Sequence, residues 1–284
     1  MKPRELLQHG ALWSFENLKI VGVSLSGIRT CLTLPEWGLC FDVAQGLPFA
    51  LPMRHFFITH GHLDHAAGIP YILSQKALHH QPPPTFYVPS GLREPLLRII
   101  RAWEDIEQHR YEFALLEVKP GDQIEINKHI QVQVFPTLHR VPSQGYSIVR
   151  NSRRRKLNLG SLSESELRHL AQSGEEVSEP HQESLISFTG DTQIEYLDLA
   201  PAALKSKVLV TECTYLDSEK PIPHARKWGH LHWDELRPRL SEIQAQKILL
   251  IHLSSRYSLP AAQKIIDQNL SPEDQKRVEI FPGQ

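Results

Sequence analysis

Apolar positions come in two spacings along this chain, and they divide it into strands and helices. Ile20–Leu25 reads as a strand. Cys31–Leu34 and Leu39–Asp42 flank Pro35-Glu36-Trp37-Gly38, which predicts a hairpin. His55–Thr59 is a short apolar run of buried-strand type, and Ile124, Ile126, Ile130, Val132 and Val134 alternate. Later strands are expected at Leu185–Thr189, Val208–Thr211 and Ile248–Ile251. Leu96, Leu97, Ile100 and Trp103 instead recur at helical spacing, which predicts a helix over 93–109 with Trp103 in its core. Ser163-Glu164-Ser165-Glu166 opens a second helix over 163–172 that ends before Gly174. Further helices are expected over 233–245 and 260–269. Gln81–Pro84 and Arg150–Lys156 read as loops. Strands alternating with helices predict a layered α/β fold. No repeat and no long linker interrupts residues 1–284, so one domain is expected.

Composition narrows the functional classes. The 31 Lys and Arg nearly balance the 32 Asp and Glu, which excludes a globally basic nucleic-acid binder but not a local basic patch. The three cysteines are odd in number and widely spaced, so a disulfide framework is not expected and a reducing, cytoplasmic setting is. No apolar run reaches membrane-spanning length, and the first ten residues contain no apolar stretch of secretory type. Sixteen histidines, by contrast, exceed any packing need and point to metal binding or acid–base work.

The chemistry concentrates in Thr59-His60-Gly61-His62-Leu63-Asp64-His65, directly after an apolar run. An extended backbone places His60 and His62 on one side, and Asp64 and His65 follow where the chain turns toward a helix opening at Ala66–Ile69. These donors suffice for two adjacent ions, His60 and His62 serving one, Asp64 and His65 the other. Four more apolar runs end in metal-capable or acid–base residues: His139, Asp191, Glu212 and His252. Ligand sites of α/β sheets gather at such carboxyl ends.

The run over 59–65 matches the His-x-His-x-Asp-His motif of the metallo-β-lactamase superfamily. Within it the sequence resembles ribonuclease Z, the endonuclease that trims precursor tRNA at its 3′ end, and most of all the short forms of plants and some bacteria. Phe41-Asp42, the 139–146 segment His-Arg-Val-Pro-Ser-Gln-Gly-Tyr, Phe188–Thr192, Glu212–Tyr215, Gly229–His232 and His252–Tyr257 carry the likeness. It implies a four-layer αβ/βα sandwich with a dimetal cleft at one edge of two facing sheets. It gives His60, His62 and His139 to one zinc ion (Zn2+), Asp64, His65 and His252 to a second, and Asp191 to both. Manganese (Mn2+) is an alternative metal, since mixed His/Asp donors accept either. The implied reaction is attack on phosphorus by a metal-bridging hydroxide. Asp64, Glu212 and His230 are then the catalytic residues, with His232 as the competing proton donor.

The chain departs from the family's pattern in two places. Thr211 stands where a His usually precedes the Glu, and no Gly-Pro-rich arm is recognisable between Val149 and Ser187. Residues 150–186 are instead expected to form a reduced RNA-contacting insertion, with Arg153, Arg154 and Arg155 meeting phosphates. Ser143, Gly145 and Arg256 are the other expected substrate contacts. Precursor tRNA is the implied partner, and the resemblance allows a homodimer that no residue itself indicates. Two other readings compete: a small-molecule hydrolase acting on a phosphodiester, lactone or thioester at the same site, and a non-catalytic RNA-binding relative. The complete ligand set argues against the latter.

Overall fold

A computed structural model describes residues 3–156, 159, 163–268 and 270–283. After a short helix α1 (Pro3–His9), strands β1 (Ala11–Phe15), β2 (Leu18–Leu25), β3 (Arg29–Leu34), β4 (Leu39–Phe41), β5 (His55–Phe57), β6 (Thr85–Pro89) and β7 (Ala114–Val118) form one sheet in sequence order. Strands β8 (Gln123–Asn127), β9 (Ile130–Pro136), β10 (Gln144–Arg155), β11 (Ser178–Phe188), β12 (Val208–Glu212), β13 (Lys247–Ile251) and β14 (Val278–Ile280) form the other. Each sheet is antiparallel through its first four strands and parallel through its last four.

The layering follows from which faces are apolar. Leu32, Phe41 and Phe57 of the first sheet meet Val132, Tyr146, Phe188 and Val210 of the second, closing a core between them. The outer face of the first sheet buries Cys40, Phe56 and Phe86 under α2 (Leu63–Ala66), α3 (Ile69–Leu78) and α4 (Arg93–Glu107). Leu209, Ile248 and Leu250 of the second sheet do the same under α6 (Tyr196–Leu199), α8 (Trp233–Leu236) and α9 (Leu259–Asp267), with α5 (Glu164–Gln172) and α7 (Ile222–Trp228) lying elsewhere in the chain. This is the αβ/βα sandwich expected. Among the described residues no helix is long and apolar enough to cross a membrane.

Several local expectations change. In α4 Leu96, Ile100 and Glu104 face the sheet, which rotates Trp103 to the edge of the stripe, where it is 46% exposed. The helix expected over 233–245 stops at Leu236. Pro238 has no N–H to extend the α pattern, and Arg237–Glu242 continues as a 3-10 turn. Arg150–Lys156 is not a loop: β10 runs on to Arg155 and pairs with β11 as a two-stranded ribbon, past a bulge at Ile148/Val149. Its register sets Arg150 opposite Glu183 and Arg154 opposite Glu179, and opposite charges across strands favour pairing over a solvated loop. The ribbon carries α5, whose first turn is closed by a Ser163–Glu166 capping box.

Candidate metal centre

Five strand ends converge on one edge of the sandwich. β5 delivers the His60–His65 loop, β9 delivers His139, β11 Asp191, β12 Glu212 and β13 His252. Two groups of donor atoms with no residue in common result, each drawn within 4.8 Å: His60, His62, His139 and Asp191, then Asp64, His65 and His252; a third set, Asp191, His230 and His252, overlaps both. His60 Nε2 lies 3.1 Å from His62 Nδ1 and 3.6 Å from Asp191 Oδ2, and His139 Nε2 is 3.3 Å from His62 Nδ1. In the second group His65 Nε2 is 3.4 Å from His252 Nε2, and Asp64 Oδ2 is 3.6 and 3.5 Å from those two atoms. Asp191 Oδ1 stands 3.4 Å from both imidazoles. Donors on a tetrahedron with bonds of about 2.1 Å sit roughly 3.4 Å apart. The spacing therefore fits a cation in each group, with Asp191 facing both. Asp191 Oδ1 is also buried without a hydrogen-bond donor among the described residues, as expected of an atom reserved for a metal.

In four of the five donor rings the second nitrogen is already committed; the fifth, His62, instead turns its Nδ1 toward the centre. The Thr59 hydroxyl accepts from His60 Nδ1 at 3.0 Å and donates to Asp42 Oδ2 at 2.8 Å. His65 Nδ1 donates to Asp42 at 2.7 Å, His139 Nδ1 to the Gly229 carbonyl at 2.8 Å, and His252 Nδ1 to the Thr214 hydroxyl at 3.1 Å. These bonds select the tautomer whose Nε2 lone pair faces the centre. Asp42 and His252 both hold positive φ, 53° and 58°, an uncommon conformation for residues with a Cβ.

The charge balance favours a cation. Burial alone would raise Asp191, but His252, His65 and His60 hold it well below the usual carboxylate range. Burial would depress His65 as well, yet Asp191 and Asp42 on either side lift it well above its ordinary value. His60 is driven well below its own, chiefly by burial.

Beside the donors lies a second pair. Glu212 is buried and accepts from Thr192 N at 2.6 Å, Thr214 Oγ1 at 2.6 Å, Leu231 N at 3.2 Å and His230 Nδ1 at 3.0 Å. Burial works against the His230 cation, but Glu212 and then Asp191 outweigh it and raise the imidazole to about 9. His230 is thus held against Glu212 beside the donor groups, its Nδ1 3.9 Å from Asp191 Oδ2. His232 is not placed there. It is 1% exposed, caps α8 by accepting from Asp234 N, and directs its other nitrogen to the Asp217 carbonyl.

The expected substrate contacts fare differently. Ser143 lies in the loop after His139 and accepts from the Thr137 hydroxyl at 2.8 Å. Gly145 does not line a cleft: it is buried in β10, and a Cβ there would meet the Phe135 ring at 2.2 Å. Arg256 pairs with Glu219 and lies over the Tyr257 ring. Arg153 pairs with Glu176, Arg154 with Glu179 at 2.8 Å, and Arg155 stands opposite Ser178. Ten residues separate Arg154 from Gln144 at the site edge, a strand length of about 30 Å. The ribbon therefore projects its arginines far from the donors, largely neutralised. Asp42, Thr59, Thr214 and Gly229 all lie in segments that carry the family likeness, but nothing in the sequence marks any of them as the partner of a donor ring.

A dinuclear-type His/Asp site at the strand ends of an αβ/βα sandwich defines a metallo-β-lactamase-type protein, and a family profile described as beta-lactamase superfamily domain matches residues 41–253. The tRNase Z TRZ1 of Arabidopsis thaliana is 31% identical over 246 residues, covering 86% of this chain and 88% of its own. The chloroplastic tRNase Z TRZ2 of the same plant is 31% identical over 270 residues, 94% of this chain and 76% of its own. The crystal structure of the short form of human tRNase Z superposes with a TM-score of 0.56 at 18% identity, covering 96% of this chain and 94% of that one. The chain belongs to the beta-lactamase superfamily and, within it, to the tRNase Z family.

Proposed function

We propose that this protein is a metal-dependent phosphodiesterase that cleaves precursor tRNA at its 3′ end. The observation that carries the reading is the His230–Glu212 pair set against two donor groups, with Asp191 in the first and facing the histidines of the second. Hydrolysis of a phosphodiester needs exactly opposed aids: charge neutralisation at the phosphoryl oxygens and a proton for the departing oxygen. We assign one ion to His60, His62 and His139 and a second to Asp64, His65 and His252, with Asp191 serving both and zinc the preferred metal. Bound there, the ions would supply Lewis-acid stabilisation and acidify water. His230, charged through Glu212, delivers the proton to the leaving 3′ oxygen. Thr192 N, Thr214 and Leu231 N hold the Glu212 carboxylate in one orientation, so the proton is presented from a fixed position.

The 284 residues act as one domain in this reading, with residues 150–186 as an RNA-contacting ribbon, in a cytoplasmic protein. A homodimer accords with the family and is tested by sedimentation. The deciding assay is cleavage of a 3′-extended precursor tRNA by metal-loaded protein, with product ends mapped and an EDTA control. A single EDTA-sensitive cut beside the acceptor stem is expected. An intact precursor, from protein that holds two ions and hydrolyses a small phosphodiester, refutes tRNA as the substrate and leaves the small-molecule reading.

A further inference from the structure

The basic residues that the sequence brings forward are mostly spoken for by carboxylates. Arg150 faces Glu183, Arg153 faces Glu176, Arg154 faces Glu179 and Arg256 faces Glu219. Arg140 differs. It is exposed, pairs with no carboxylate among the described residues, and its guanidinium lies 4.9 Å from the ring centroid of Trp228. Trp228 is itself 44% exposed, at the end of α7.

Both residues are tied to the metal centre. Arg140 follows His139, and Trp228 precedes Gly229 and His230. The two segments touch through the His139 bond to the Gly229 carbonyl, and the His139 and His230 rings are 5.2 Å apart. The approach depends on Gly229, with φ of 80°: a Cβ there would meet His139 Nδ1 at 2.7 Å and Arg140 Cγ at 3.0 Å. The arginine–indole pair is therefore a fixed shelf on the His139 side of the site.

We infer that Arg140 and Trp228 form a nucleotide platform, which stacks the base next to the scissile phosphate on the His139 side and engages the neighbouring phosphate; this rests on the phosphodiesterase reading above. An indole with open area offers a stacking face to any base. A guanidinium lying on that indole keeps its edge N–H groups available for phosphate oxygens. A single-stranded nucleotide uses both features together, whereas a lactone or thioester uses neither. The platform thus selects an unpaired residue at the cut, which a 3′-extended acceptor end supplies.

The test compares W228A, W228F and R140A with the wild type on precursor tRNA and on bis(p-nitrophenyl) phosphate, each protein assayed for metal content. For W228A the loss in kcat/KM on the precursor should exceed its loss on the small diester by about tenfold, expressed mainly in KM, with W228F recovering most of it. R140A should reduce the salt dependence of precursor binding by about one unit of slope. Equal losses on both substrates would show a merely structural role and overturn the platform, as would wild-type precursor kinetics in W228A. Wild-type protein that hydrolyses the small diester and leaves the precursor whole would instead overturn the RNA reading, and the platform with it.

Discussion

Replacing Asp42 by Asn changes one atom next to the candidate metal centre and leaves every donor residue in place. Asp42 Oδ1 accepts from Thr59 N at 2.7 Å, while Oδ2 accepts from the Thr59 hydroxyl at 2.8 Å and from His65 Nδ1 at 2.7 Å. Asn has a single oxygen. Turned toward His65, it sets its NH2 against the Thr59 N–H. Turned toward Thr59 N, it sets its NH2 against His65 Nδ1, which must then give up its proton and move it to Nε2, the nitrogen that faces Asp191 and His252. Either orientation forfeits a charge-assisted bond worth about 1.5–3 kcal/mol, which matches the 10–100-fold affinity typically lost with such outer partners. The backbone at φ 53° is no obstacle, because Asn tolerates that region as well as Asp. D42N should therefore keep its fold by far-UV circular dichroism and bind the Asp64–His65–His252 ion about 10–100-fold more weakly in competition with a chromophoric chelator. Activity should return at high metal concentration. Two ions bound at wild-type affinity would refute the claim that Asp42 fixes the His65 tautomer.

Three further outcomes are expected. H230A should lower kcat on precursor tRNA by about 10²–10⁴ with metal content unchanged, and lose much less on a p-nitrophenyl ester, whose leaving group needs no proton; equal losses would deny His230 that role. Lys76, 3% exposed in the last turn of α3, has its ammonium lowered by burial and then by Arg54 to about 8. The folded state thus carries an electrostatic cost below pH 8 that is relieved as pH rises toward the unfolded value. Discounted for the Gln81 and Phe56 contacts of the cation, K76M should gain about 1–2 kcal/mol at pH 7, seen as a higher thermal midpoint, with the gain shrinking from pH 8 to 10; an unchanged midpoint at pH 7 would contradict it. Replacing Arg153 and Arg154 together by Ala should alter the salt slope of RNA binding less than R140A alone, since both are already paired with glutamates; a larger change would make the ribbon the main phosphate contact.

The sequence made the donor atoms legible because ligands are chemically distinctive and stand at the ends of apolar runs. His60 through His65, His139, Asp191 and His252 could each be located from such a run, and the sheets from their alternation. What could not be read is reach and partnership. The basic run at 150–156 looked like a loop because five charges in seven residues suggest solvent, whereas the glutamates that make it a strand lie more than twenty residues on. His230 and His232 were inseparable along the chain, and only the caps and carbonyls around them show that one is held by Glu212 and the other by the start of α8. Arg140 and Trp228 are 88 residues apart, and nothing local to either suggests the other.

The donor set is divided between the two halves of the fold. His60, His62, Asp64 and His65 come from the loop after β5, in the half built around the first sheet, whereas His139, Asp191 and His252 come from the half built around the second. Each donor group spans both halves, since Asp191 joins the histidines of the first half and His252 joins Asp64 and His65. Cations held there would act as rivets between the sheets, with affinity and conformational stability linked. Tightly held metal would then raise the unfolding free energy by RT ln(1 + [M]/Kd), about 4 kcal/mol at a thousandfold excess over Kd. The temperature at which the sandwich comes apart would follow the metal supply of its surroundings.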